Sequence, residues 1–206
     1  MPTLPATRKT RATHAGLIAA TREVVRKTGI VSPEHIAETA GVSPATLYSY
    51  FGSKDALLAS AFDAALDDIN QATSNILAIE RLLEEGWDAT ARALVRSVVK
   101  RFSHDARLVR LAVGRLPDSD EVRQVYRRRQ EEALSILRHF LRLGSAAGKL
   151  RSDDDDVLVK TSLVLLQGLQ NPVVLQTSSG PVLDEIGDLL HSLLVPRRSE
   201  KDPKPL

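Results

Sequence analysis

Apolar residues recur along this chain every three or four positions, the spacing that lines one face of an α-helix. Leu17, Ile18, Thr21, Val24 and Val25 set such a face between Thr13 and Thr28, and Gly29 ends it. Ser32-Pro33-Glu34 is a helix start: a capping hydroxyl, a proline that needs no N–H, then an acid for the first turn. The helix it opens runs to Ala40 and stops at Gly41. Ser43-Pro44 opens another, to about Phe51. Ser53-Lys54-Asp55 begins a long one towards Leu77, striped by Ala56, Leu57, Ala61, Phe62, Ala65 and Ile69.

The remainder keeps the same period. Trp87, Ala91, Leu94, Val95, Val98, Val99 and Phe102 lie on one face, and a shorter helix from Asp105 to Arg115 is closed by Pro117. Asp118-Ser119-Asp120-Glu121 resembles a capping box. It precedes a long helix with Val122, Val125, Tyr126, Ala133, Leu134, Leu137, Phe140 and Leu141 inward, whose pattern breaks at Gly144 and Gly148. The helix from Val157 to about Gln170 is apolar nearly all round over Val157–Leu169, which predicts burial on both sides. Pro172 must kink or end it. A last stripe, with Leu183, Ile186, Leu189, Leu190, Leu193 and Leu194, covers Val182 to Val195. Two such apolar helices fit either a two-fold four-helix interface or a large monomeric core. No strand pattern and no fixed repeat competes, so the fold class is all-α.

Composition narrows the class. With 43% hydrophobic and 26% charged residues the chain is an ordinary globular one, and its lack of cysteine removes disulfides and thiol chemistry. Met1 to Thr13 holds no apolar signal region, and the longest apolar run, Val157 to Leu166, is too short for a membrane span. The expectation is a cytoplasmic protein. The net charge of +2 is unevenly spread. Seven basic residues face four acidic ones through residue 60, and Arg8, Lys9 and Arg11 stand together at the start. A basic arm of this kind serves nucleic-acid binding or simply solubility.

Pro33 to Phe51 decides between those uses. Two short helices are joined by Gly41-Val42-Ser43 only. Ala37 lets them approach, Gly41 supplies a positive φ, and Ile36, Ala40, Val42, Leu47 and Tyr50 or Phe51 form a small core. Ser43 caps the second helix and turns its positive end outward. Pro44, Ala45, Thr46, Tyr48 and Ser49 are left free to enter a major groove of double-stranded DNA. Tyr48 and Tyr50 fall on different faces, so at most one is core. Lys54 at a helix start opposes the dipole, which suits a phosphate contact better than a structural role. Pro44 and Ala45 donate no side-chain hydrogen bonds, so base reading rests on few groups and on methyl contacts.

These residues resemble the TetR family of bacterial transcription regulators over about residues 13–62. The likeness lies in Ile36-Ala37, Ala40-Gly41-Val42-Ser43, Thr46-Leu47-Tyr48, Tyr50-Phe51 and Ser53-Lys54-Asp55-Ala56-Leu57-Leu58. Pro33 and Glu34 depart from it, standing where the family often has a base-reading Arg or Thr. The resemblance implies that Thr46 and Tyr48 touch bases or adjacent phosphates and that Tyr50 and Lys54 touch the backbone. It implies that Gly-Lys-Leu-Arg-x-Asp at 148–153 leads into a dimerising helix, and that the C-terminal helices form an effector pocket and a homodimer interface.

Other chemistry is thin. Asp153 to Asp156 read as an acidic helix start, with no glycine-turned calcium loop. His14, His35, His104, His139 and His191 are scattered without ligand spacing. No phosphate loop, nucleophile elbow or acid pair is present, so neither an enzyme nor a metal or cofactor is expected. For a small-molecule effector, Trp87, Phe102, Tyr126, Phe140, Leu163, Gln167 and Asn171 are candidates to line an apolar cavity, although core packing predicts the same residues. The layout is a flexible basic arm (1–12), a three-helix helix-turn-helix domain (13–60), a helical effector-binding and dimerisation domain (61–195) and a disordered tail (196–206). The expected function is a ligand-responsive regulator, a repressor on a palindromic operator; an α-helical enzyme or carrier whose helix-turn-helix is only structural and a protein-interaction adaptor are the other readings.

Overall fold

The computed structural model describes residues 8–151, 155–176 and 180–196. They form α1 (Arg8–Thr28), α2 (Pro33–Thr39), α3 (Pro44–Phe51), α4 (Lys54–Ile76), α5 (Ile79–His104), α6 (Ala106–Arg115), α7 (Asp120–Ala146), α8 (Asp155–Gly168), α9 (Pro172–Gln176) and α10 (Gly180–Leu194). No strand occurs among the described residues, and none of their helices is long and apolar enough to cross a membrane.

The chain divides into two compact units. One comprises Met1–Ile69 with Arg101–Glu131, the other Asn70–Lys100 with Glu132–Leu206. The helix-turn-helix unit therefore includes α6 and the first half of α7, where a boundary near residue 60 was expected. Leu17, Val24 and Val25 of α1, Leu57, Ala61 and Phe62 of α4, and Leu108, Val109 and Ala112 of α6 are buried in it. Charge fixes the register of α7 on α4: Arg128 donates to Asp63 at 2.6 Å and Arg129 to both Asp63 and Asp67. Burial pushes the Asp63 carboxyl up, but the hydrogen bonds from Arg129 and Arg128 outweigh it and hold that carboxyl below its ordinary range.

In the second unit Ala91, Leu94, Leu137, Phe140, Leu141, Val159, Leu169, Leu190 and Leu194 make the core. Arg151 N–H donates to the Leu194 carbonyl at 3.0 Å, pinning the end of α10. Arg92 and Arg96 of α5 reach Asp188 at 2.5 Å and Asp184 at 2.7 Å on α10.

Several expectations need correcting. α1 begins at Arg8, so Arg8, Lys9 and Arg11 are helical; no proline or glycine separates them from Thr13, and nothing stops the helix extending back over them. Gly144 does not break α7. It is buried inside the helix, and the break comes at Gly148, whose φ of +66° ends α7 in paired bonds from Gly148 to Ser145 and from Lys149 to Gly144. Pro172 is the exception: α8 ends at Gly168 ahead of it, as expected, and Pro172 becomes the first residue of α9, with the Asn171 side chain accepting from Val173 N–H at 2.9 Å. The helix read as buried on both sides is buried on one. Leu158, Val159, Leu166 and Leu169 point inward, whereas Val157 and Val164 are 57% and 66% exposed in the protomer.

Gly144 is needed for close approach rather than for flexibility. A Cβ there would lie 2.4 Å from Leu150 Cδ1 and 3.1 Å from Leu82 Cδ2. Gly144→Ala gains about 1 kcal/mol of helix propensity, while overpacking a filled site costs about 1–3 kcal/mol. We expect a net loss, read as a lower urea midpoint; a higher midpoint would mean that Leu150 repacks freely.

Candidate nucleic-acid interface

α2 and α3 are held by a turn whose every bond is local. Ser32 caps α2 and accepts from His35 N–H. At the other end Gly41, with φ of +66°, donates to the Glu38 carbonyl while Val42 donates to Ala37, both at 3.0 Å. This left-handed residue reverses the chain within one peptide, a conformation that costs any residue with a Cβ. Ser43 is extended and its Oγ accepts from Thr46 N–H at 3.1 Å, so the helix starts with its remaining N–H groups facing outward. Ile36, Ala37, Leu47 and Phe51 are buried and fix the pair, while Ala40, Val42 and Tyr50 are half-buried.

That burial leaves one face of α3 exposed. Pro44, Ala45 and Ser49 are exposed, Tyr48 is 43% exposed, and Thr46 is half-buried. The hydroxyls are already placed: Ser43 Oγ and Thr46 Oγ1 are 2.9 Å apart, and Ser49 donates to the Thr46 carbonyl at 2.7 Å. Tyr50 turns away from that face, its ring 6.2 Å from His14 of α1. Lys54, first residue of α4, is exposed. Arg11 is exposed on α1; the side chains of Arg8 and Lys9 lie outside the described residues, as does the tail from residue 197.

Two features of this unit escaped the sequence reading. The His14 ring stacks on Phe51 at 4.9 Å, and burial lowers the His14 pKa from its ordinary value. The first turn of α6 also grips α1. Arg22 donates to Asp105 at 2.6 Å and pairs with Asp68 at 2.8 Å, while Arg107 donates to the carbonyls of Arg26 and Lys27 at 3.0 and 2.6 Å. The available signal was a run of charges next to a helix stop, too common to single out.

The residues proposed to line an effector cavity fall into both units. In the second, Trp87 and Phe140 are buried with ring centroids 5.6 Å apart, and Trp87 Nε1 donates to the His191 carbonyl at 3.2 Å. Leu163 and Gln167 are half-buried on α8, and Asn171 is exposed. In the first unit Phe102 is buried, and half-buried Tyr126 stacks on Phe62 at 6.4 Å. No group of three or more acidic or histidine side chains among the described residues could hold a metal ion.

Residues 17–61 match the model for bacterial regulatory proteins of the tetR family, the segment that holds α2, the turn and α3. No curated protein matches the chain significantly. Solved structures extend the likeness to most of its length. A proposed TetR-family transcriptional regulator of Mesorhizobium loti superposes with a TM-score of 0.73 at 19% identity, over 91% of this chain and 95% of that one. A TetR transcription regulator from Haloarcula marismortui gives 0.72 at 16%, over 89% and 96%. Reduced NemR of Escherichia coli gives 0.67 at 17%, over 89% and 97%. The sequence match covers the helix-turn-helix segment, residues 17–61, and the structural likeness shows that the remaining helices share the fold of these regulators.

Proposed function

We propose that the protein is a DNA-binding transcription regulator of the TetR family and a repressor, acting as a homodimer on a palindromic operator and released by a small lipophilic effector. The observation that carries the reading is the exposed face of α3, where a capped helix start presents Pro44, Ala45, Thr46, Tyr48 and Ser49 with no acidic residue among them. The positive end of α3 favours phosphate, and Tyr48 and Thr46 offer a phenol, a hydroxyl and a methyl to base edges. Tyr50, Lys54 and the basic residues Arg8, Lys9 and Arg11 supply backbone contacts in this reading.

Dimerisation is supported by the apolar surface of α8 and α10, which pack on each other. Val157, Val164 and Leu165 share one arc of α8, and Val182 and Leu189 share one of α10. Leu189 is 61% exposed, an arrangement that a second copy would bury. Leu190 and Leu194 belong instead to the protomer core. For the effector, the Trp87–Phe140 pair gives an apolar aromatic wall within the second unit. Ser162 is fully buried there with no hydrogen-bond partner for its hydroxyl, and His191 Nδ1 is likewise unpaired. A ligand with an apolar body and one polar group would satisfy such atoms.

Four outcomes follow. Thr46→Ala should lose about 1–3 kcal/mol at particular base pairs of an operator selected from random DNA. Joint replacement of Arg8, Lys9 and Arg11 should weaken binding to every sequence and flatten its salt dependence. Equal loss on operator and random DNA for Thr46→Ala would remove that residue from sequence reading. Leu189→Asp with Val164→Asp, both on exposed positions, should sediment as a folded monomer with weak operator binding; a wild-type monomer at micromolar concentration would overturn the dimer. Fluorescence of Trp87, the one tryptophan, should report an effector whose affinity falls about 5–150-fold when operator is present. A ligand that binds equally with and without operator is not the inducer.

A further inference from the structure

Asp105 occupies the N-cap position of α6 yet makes no side-chain bond to its own helix. An aspartate there ordinarily satisfies one of the free N–H groups of the first turn. Here the carboxylate is buried and turned to Arg22, 83 residues away in sequence, with bonds of 3.3 and 2.6 Å from Nε and one terminal nitrogen. Local capping has been given up for a contact with α1. Two residues on, Arg107 completes the grip by donating to the two last-turn carbonyls of α1. Those carbonyls have no partner within the helix, and a guanidinium there also meets the negative end of the dipole.

The other end of α6 is tethered too. Arg115, its last residue, donates to Asp55 at 2.7 Å. Asp55 lies in the first turn of α4, next to Lys54 and just past the reading helix α3. So α6 is bonded at its start to the helix that packs on α2 and at its end to the helix that follows α3. Along the chain it comes directly after α5, most of which belongs to the second unit, and before α7, whose second half returns there.

We propose that α6 is a strut that positions the reading helix, with Asp105 and Arg107 at one end and Arg115 at the other as positioning residues. This rests on the operator-binding reading above and adds to it the element that sets how α3 is presented. The strut holds by charge rather than by bulk at its ends. Arg107 is exposed and the Arg115 side chain is 43% exposed, and such pairs contribute little to global stability. Stability and reading should therefore separate.

The test compares the full-length wild type with Arg107→Ala, Arg115→Ala and the double variant, on a selected operator and on random-sequence duplex of equal length. The double variant is expected to keep the wild-type urea midpoint and its affinity for random DNA, while the operator-to-random ratio falls about tenfold or more. Arg107→Lys, which keeps a donor and a charge, should restore part of that ratio. Asp105→Asn should lower the ratio in the same direction, and the exposed variants carry the test if it fails to fold. A ratio within about twofold of wild type in the double variant overturns the strut. An equal fall on both DNAs with a flatter salt slope also overturns it, making these arginines phosphate contacts. If the wild type itself does not discriminate operator from random DNA, it is the operator reading that fails.

Discussion

Helices of seven and eight residues do not persist alone in water, where about 12–15 residues are marginal even for good helix formers. α2 and α3 exist because α1 gives them an apolar bed and because the Gly41 turn fixes their crossing with backbone bonds. Ile36, Ala37, Leu47 and Phe51 spend the inward faces of both helices on that purpose. Apart from Tyr48, what remains on α3 is short and polar or small, and the hydroxyls of Ser43, Thr46 and Ser49 are bonded to neighbours one turn away. In the proposed operator-binding reading, hydroxyls already bonded in this way lose little rotamer entropy when DNA binds.

The same rigidity makes α1 the element through which the rest of its unit acts. One of its faces is apolar, towards α2 and the core. Arg22, half-buried beyond that face, needs counter-charges because an unpaired guanidinium at that depth would be costly. Asp68 and Asp105 supply them from α4 and from the residue before α6. Arg129 between Asp63 and Asp67 repeats the device where α7 meets α4. Apolar burial sets which helices meet in this unit, and the arginine pairs set their register.

Legibility in the sequence followed the range of the interactions. Ser32-Pro33, Gly41, Ser43-Pro44 and Ser53 act within four residues of themselves, and the bounds of α2, α3 and α4 follow from them. The exposed face of α3 followed as well, because Leu47 and Phe51 had to point inward. Distant partners were not legible. Gly144 looks like a breaker until Leu150 and Leu82 are seen against it. Asp105 looks like a cap until Arg22 is found, and Arg107 looks like a surface charge until the end of α1 is placed beside it. The N-terminal extension of α1 failed for a simpler reason: no residue marks its start. The effector candidates drew on period alone, and period gives a core residue and a cavity residue the same signature.

Val157–Leu169 shows how one pattern can be right about chemistry and incomplete about partners. A helix apolar on all sides needs cover on all sides, and the protomer supplies one: Leu158, Val159, Leu166 and Leu169 are buried while Val157 and Val164 are not. α10 is in the same condition, with Leu190 and Leu194 inward and Leu189 outward. Leaving such side chains in water forfeits about 1.5–3 kcal/mol each relative to burial. The apolar excess thus has no intramolecular remedy among the described residues. In the proposed homodimer a second copy would meet it on identical surfaces, and a two-fold axis through such a pair would relate the two α3 helices, which is the symmetry a palindromic site requires.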